Sequence, residues 1–284
     1  MPSGFVYKKT PPKAWVHGQG KATVRFGAVP LMPGGHGWQE YVPKYELQNI
    51  NGVESYSCTV YASLKAWITL ANKLGLPFPK DCSERFNAIL ANITPPGANP
   101  YDVGESIRQW GVIHNDLLPF DDTIKSTYEF FQPKPMDEGL IAEAKKILQK
   151  VEPGHEYLWN DSRFRAPTPN KPDILKRNLE RGPICVSVHG WKKNDKGLYY
   201  KDKADDDNHW TMLEDYKEGE YWIINDQYKP FIKKVAWDTD FQTAQLYFLK
   251  ENTSGIAPND LNYFLKILKQ MSEMVRLLAL KLQK

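Results

Sequence analysis

The run Glu54-Ser55-Tyr56-Ser57-Cys58-Thr59-Val60-Tyr61-Ala62-Ser63 decides how the chain is organised. A turn-like approach, Asn49-Ile50-Asn51-Gly52, leads into it. Beyond it Val60, Leu64, Trp67, Ile68, Ala71 and Leu74 recur as one face of a helix. Ser57 is a good N-cap, so the spacing places Cys58 in the first helical turn. Unpaired N–H groups and the positive end of the helix dipole stabilise a thiolate there and lower a cysteine pKa. The pattern therefore suits a thiol nucleophile. It also suits a small apolar residue packed at a helix end, which is a common fate of a free cysteine.

A second stretch bears on that choice. Asn208-His209-Trp210-Thr211-Met212-Leu213-Glu214-Asp215-Tyr216 and Tyr221-Trp222-Ile223-Ile224-Asn225-Asp226 are two β-prone runs flanking the polar turn Lys217-Glu218-Gly219. They read as a hairpin with its midpoint near residue 217 or 218. That centre sets His209 nearly opposite Asn225, within reach across the ladder. The expectation is a histidine oriented by an asparagine, serving a distant cysteine.

Several segments together resemble the papain-like cysteine peptidases. Ser57-Cys58-Thr59-Val60-Tyr61-Ala62 is similar to that family's nucleophile block, Asn208-His209 to its catalytic histidine step, and Tyr221-Trp222-Ile223-Ile224-Asn225 to its asparagine strand. The sixteen residues from His209 to Asn225 match the family's spacing. Arg181-Gly182-Pro183-Ile184-Cys185-Val186-Ser187-Val188 resembles its Gly-Pro-Val strand. Ser83-Glu84-Arg85-Phe86 and the run 103–112 resemble segments of bacterial and viral members. The likeness covers roughly residues 43–250. It implies an α+β, papain-like two-lobed fold and hydrolysis of peptide or protein substrates through an acyl-enzyme. Cys58 would be the nucleophile, His209 the base and Asn225 its orienting partner, with no metal or cofactor. The chain departs from the family where a glutamine usually stands six residues before the nucleophile. That place is Gly52. The oxyanion donor then falls to Gln48, ten residues before Cys58, or to Asn51. Gln227 also replaces the tryptophan that often follows the asparagine by two. Two rival classes stay open. One is a catalytically weakened structural or binding component; the other is a thiol amidase or acyl-transferase acting on cell-wall peptides.

Composition sets the remaining bounds. A net charge of +3 over 284 residues argues for neither nucleic acid nor an anionic membrane. No apolar run has the length of a membrane span or a signal-peptide core, so a cytoplasmic or virion-associated protein is expected. Three cysteines, Cys58, Cys82 and Cys185, do not form a disulfide framework. Residues 1–42, rich in Gly and Pro, read as an extended arm with one strand over 21–26. The arm reads either as a pro-segment covering the cleft or as an arm that docks on a partner; it lacks the length and helical pattern of the family's inhibitory propeptide, which favours docking. His36 lies between glycines and reads as part of a flexible loop.

Between the arm and residue 150 the chain reads as helical, with further helices over 81–92, 101–110 and 136–151. A last one covers Asp173 to Leu179. Antiparallel strands follow at 185–189, 197–200, the hairpin and 244–249, an α+β order. Cys82, amid charges, reads as structural, and His114 and His155 as solvated or capping loop residues. Asp205-Asp206-Asp207 reads as a solvated turn. From 257 to 284, Leu261, Phe264, Leu268, Met271, Val275, Leu278 and Leu282 alternate three and four apart, the seam of a coiled coil. This C-terminal amphipathic helix predicts homo-oligomerisation or docking in a larger assembly, such as a phage particle.

Overall fold

Helix α1 spans Cys58–Leu74, opening on the residue that the sequence placed in its first turn. It stops where Gly75 turns left-handed (φ 64°) and returns its N–H to Ala71 O, a conformation glycine takes without strain. The apolar spacing predicted one buried face, yet every residue from Cys58 to Ala71 is buried, Lys65 included. Position explains the difference: a β-sheet covers one side of α1 and other helices cover the rest.

The computed structural model describes residues 4–16, 31–161, 168–201, 205–252, 268–269, 271–273 and 275–276. A short hairpin of β1 (Asn49–Ile50) and β2 (Val53–Glu54) precedes α1. Helices α2 (Glu84–Leu90), α3 (Pro100–Trp110), α4 (Thr127–Phe130) and α5 (Glu138–Leu148) follow it. The caps are local chemistry. Ser83 accepts the Phe86 N–H, Asn99 that of Tyr101, and Asp137 that of Leu140. The rest is strand-rich: β3 (Val151–Asn160), α6 (Lys171–Leu179), β4 (Ile184–Val188), β5 (Lys192–Lys193), β6 (Tyr199–Tyr200), β7 (His209–Lys217), β8 (Tyr221–Asn225), β9 (Ile232–Ala236) and β10 (Thr243–Glu251). An eight-stranded sheet runs β3-β10-β4-β7-β8-β9-β6-β5, with β6 and β9 parallel and its other neighbours antiparallel. Helices then strands give the α+β class expected. α1 packs on β7, β10 and β4, and on α2 and α3.

Several local expectations need correction. Strand β3 stands where the end of a helix and a loop were expected, with Pro153-Gly154 inside it. As the sheet's edge strand, β3 tolerates a residue with no N–H to donate. His155 is consequently no loop residue: it is 2% exposed, and its Nε2 lies 3.0 Å from Glu105 Oε1. Asp207 is not solvated either. Its side chain is buried against Ser187 Oγ (2.5 Å), Lys201 Nζ (2.8 Å) and the Gln242 N–H (2.9 Å). His36 meets the Asp215 carboxylate. His114 does cap, accepting the Asp116 N–H.

Residues 4–16 lie against the body of this same chain. Val16 bridges Tyr157, and Arg108 sits 4.6 Å over the Trp15 ring. The strand expected over 21–26 lies outside the described residues. Of the C-terminal seam, Leu268, Met271 and Val275 are helical and 60%, 54% and 64% exposed. Leu261, Phe264, Leu278 and Leu282 lie outside the described residues. No helix among the described residues is long and apolar enough to cross a membrane.

Candidate active site

Cys58 begins α1, where the Ser57 carbonyl accepts the N–H groups of Val60 and Tyr61. The Ser57 hydroxyl does not cap the helix; it donates to Ser55 O over 2.8 Å. The Trp210 backbone N–H lies near enough to the thiol to favour its charged form. The thiol does not have the lowered pKa that a helix N-terminus favours. Burial pushes it well up, and the nearby charges of Asp226 and Glu54 add to the shift against the Trp210 and Thr59 N–H groups.

Part of that burial comes from the chain's own arm. A Cβ built on Gly4 (φ 141°) would come 2.7 Å from Cys58 Sγ and 2.9 Å from Tyr56 O, so only glycine fits there. Gly4 O accepts the Ala98 N–H at 2.9 Å, and the Val6 N–H donates to Ala98 O at 2.9 Å. On the other side the Phe5 N–H donates to Asn208 O at 3.3 Å. The Phe5 ring, 6% exposed, stacks on Trp210 with centroids 5.6 Å apart. An extended peptide thus lies across Cys58, bonded along both edges.

His209 opens β7 and is fully buried, with Trp191 and Tyr228 against its ring. Its Nε2 lies 2.6 Å from Asp226 Oδ1, and its Nδ1 has no hydrogen-bond partner among the described residues. Lys233 Nζ holds the other Asp226 oxygen at 2.5 Å. Burial alone would raise the Asp226 carboxyl, but His209 and Lys233 outweigh it and hold the group below its ordinary value. The site therefore contains a carboxylate, not an amide, behind the imidazole.

Asn225, expected in that place, does not reach His209. The hairpin turns around Gly219, with Lys217 opposite Tyr221, and a bulge in β7 shifts the register between Leu213 and Asp215. Asn225 consequently pairs with Met212, three residues from His209. An odd offset along a strand puts the two side chains on opposite faces. Asn225 Oδ1 accepts from Lys65 Nζ (2.7 Å) and its Nδ2 donates to Glu214 (3.1 Å). The next residue, Asp226, falls on the histidine side. It was legible only as the neighbour of Asn225, one register step away.

Gln48 is buried at the base of the β1–β2 hairpin, where Ser55 N–H donates to its carbonyl at 3.2 Å. The hairpin turn, Asn51 (φ 50°) and Gly52 (φ 83°), accommodates the added length between Gln48 and Cys58. Asn51 itself sits exposed at the tip, away from the site. Gln48 Nε2 donates to Glu54 Oε1 over 2.7 Å. Glu54 also accepts from the Tyr56 N–H (3.0 Å) and the Tyr228 hydroxyl (2.6 Å). Cys58 is linked to the other two through carboxylates: Asp226 and Glu54 both bear on its thiol, Asp226 holds His209, and Glu54 holds Gln48 and Tyr228. Cys82 and Cys185 are buried elsewhere and bonded to the Pro79 and Ala62 carbonyls. Among the described residues no group of three or more His, Cys, Asp or Glu side chains is arranged to hold a metal.

No family model and no curated protein sequence matches the chain. Among solved structures it is similar to xylellain, a cysteine protease from Xylella fastidiosa, with a TM-score of 0.57 and 17% identity over 88% of this chain and 96% of that one. Digestive procathepsin L 3 of the Tenebrio molitor larval midgut aligns with a TM-score of 0.49 and 14% identity, over 86% of this chain and 73% of that one. The chain shares the α+β fold of a papain-like cysteine protease.

Proposed function

We propose that the chain is a cysteine peptidase in a self-closed state. The observation that carries this reading is the extended segment Gly4-Phe5-Val6, held by backbone hydrogen bonds between Ala98 and Asn208 directly over Cys58 Sγ. A groove that grips a peptide backbone on both edges selects an extended chain whatever its sequence. The raised Cys58 thiol belongs to this closed state, since burial is its largest cause and Gly4 supplies part of that burial. Withdrawal of the arm returns water to the thiol. His209 Nδ1, unpartnered as found, then takes the Cys58 proton while Asp226 holds Nε2–H and steadies the imidazolium. The thiolate attacks a peptide carbonyl. The Cys58 N–H at the start of α1 and the Gln48 amide, once released from Glu54, hold the oxyanion. His209 protonates the leaving amine, and water hydrolyses the acyl-enzyme.

A second reading, a structural or binding component without turnover, is favoured by one observation: the thiol is kept protonated by burial and by two nearby carboxylates. A thiol amidase or acyl-transferase would use the same Cys58 and His209 with another substrate or acceptor. Assembly through the C-terminal seam, in a phage particle or elsewhere, is supported by the exposure of Leu268, Met271 and Val275. Incubation of the Phe5→Ala protein with a peptide library, with and without an added amine, separates these readings by mass spectrometry. Cleavage that Cys58→Ala abolishes supports the peptidase, and amine incorporation supports the transferase. No Cys58-dependent product of either kind would leave the binding component.

A further inference from the structure

A buried charge network on the far side of β8 has no part in the chemistry above. Lys65 is 3% exposed and stands seven residues beyond Cys58 in α1, which is about two helical turns along the same face. Its ammonium donates to Asn225 Oδ1 at 2.7 Å and to the Asp226 carbonyl at 3.3 Å. Asn225 Nδ2 in turn donates to Glu214 at 3.1 Å. Glu214 lies in β7, the strand that begins with His209. Three elements that carry Cys58, His209 and Asp226 are therefore tied by one chain of bonds.

The geometry points to Lys65, Asn225 and Glu214 as positioning residues that set the angle at which Asp226 meets His209. Asp226 lies just past the end of β8, where the ladder no longer fixes it. Its peptide is pinned from two sides, by its own N–H donating to Phe231 O (2.7 Å) and by Lys65 on its carbonyl. Removing Lys65 frees that carbonyl, and the carboxylate can swing off a 2.6 Å contact whose direction matters as much as its length. Replacing buried charged groups by well-packed apolar ones is often neutral or stabilising, so a lysine kept here fits a positioning task better than a stabilising one. The inference rests on the function proposed above only in naming His209 and Asp226 as the catalytic pair.

The test uses the full-length protein and needs no turnover. In 15N-histidine-labelled protein the His209 Nε2–H bonded to Asp226 gives a downfield proton resonance protected from exchange. The double variant Lys65→Met/Glu214→Gln removes both charges together and is compared with wild type, as is Asn225→Ala. The expected result is that His209 loses this resonance, or exchanges it at least tenfold faster, in both variants, while the thermal midpoint of the double variant stays near that of wild type. An unchanged resonance in the double variant, or in Asn225→Ala should the double variant fail to fold, overturns the assignment. A responsive resonance in a protein without peptidase activity keeps the positioning role and removes only the activity. Peptidase activity with an unresponsive resonance does the reverse.

Discussion

Replacing Phe5 by alanine isolates the grip of the arm on the cleft. The ring is 6% exposed and stacks on Trp210, so the substitution forfeits nearly the whole burial of a phenylalanine. That burial is worth about 1.5–3 kcal/mol, and the stacked pair adds about 0.5–1.5 kcal/mol. The total, about 2–4 kcal/mol, corresponds to a rise of roughly 30- to 1,000-fold in the open fraction, at 1.4 kcal/mol per factor of ten. The remaining contacts, Val6 to Ala98 and Lys8 to Asp102 among them, stay in place, so the arm still closes part of the time. Cys58 is fully buried when the arm is down, and an alkylating reagent therefore samples only the open state. Its rate, followed by intact-mass spectrometry under native conditions, should rise by the same factor until the arm-free limit is met. Cys82 and Cys185, buried away from the arm, serve as internal controls whose rates stay unchanged. A Cys58 rate within about threefold of wild type would refute the gate, because even the lower energy bound predicts about thirtyfold.

Three further outcomes follow from the same geometry. In the Phe5→Ala background, Asp226→Ala should lower peptide hydrolysis by about 10²-fold or more, since it strips the carboxylate from His209 Nε2. Gln48→Ala in that background should reduce the maximal rate by about 10²–10³-fold while leaving the alkylation rate near that of its parent. The third concerns stability. Glu46 and Glu84 are neighbours; burial raises both carboxyls, and in Glu84 the nearby Glu46 raises the group further. A folded value above the unfolded one, about 4.3 for a glutamate, contributes stability that is complete below the unfolded value and is lost as pH climbs through the folded one. The urea midpoint should therefore fall as pH rises above the unfolded value, and Glu84→Gln should flatten that fall.

The helix bearing Cys58 was legible because its main signal, the apolar period from Val60 to Leu74, is local, although the Ser57 side chain does not cap it as expected. The hairpin was legible as an element, and its register was not. Centring the turn one or two residues too early, and having no sign of the bulge at Leu213–Asp215, moved the predicted partner of His209 by one side chain, from Asp226 to Asn225. On a strand one residue is the difference between two faces. β3 was hidden by Pro153-Gly154, whose disruption an edge strand absorbs. The seat of the arm left no pattern, because residues 4–6 are held mainly by backbone bonds to Ala98 and Asn208, nearly a hundred and two hundred positions away. The burial of Lys65 was equally silent, since a lone lysine in an apolar period reads as an interruption until its partners are found.

The most direct measurement is the pH dependence of Cys58 alkylation in Phe5→Ala, with His209 intact and with His209→Ala added. If Cys58 and His209 are a working pair, the first protein reacts fast near pH 6 and the second slows sharply there. If both react slowly and titrate near the roughly 8.5 of an ordinary thiol, the pair does no chemistry and the central claim fails.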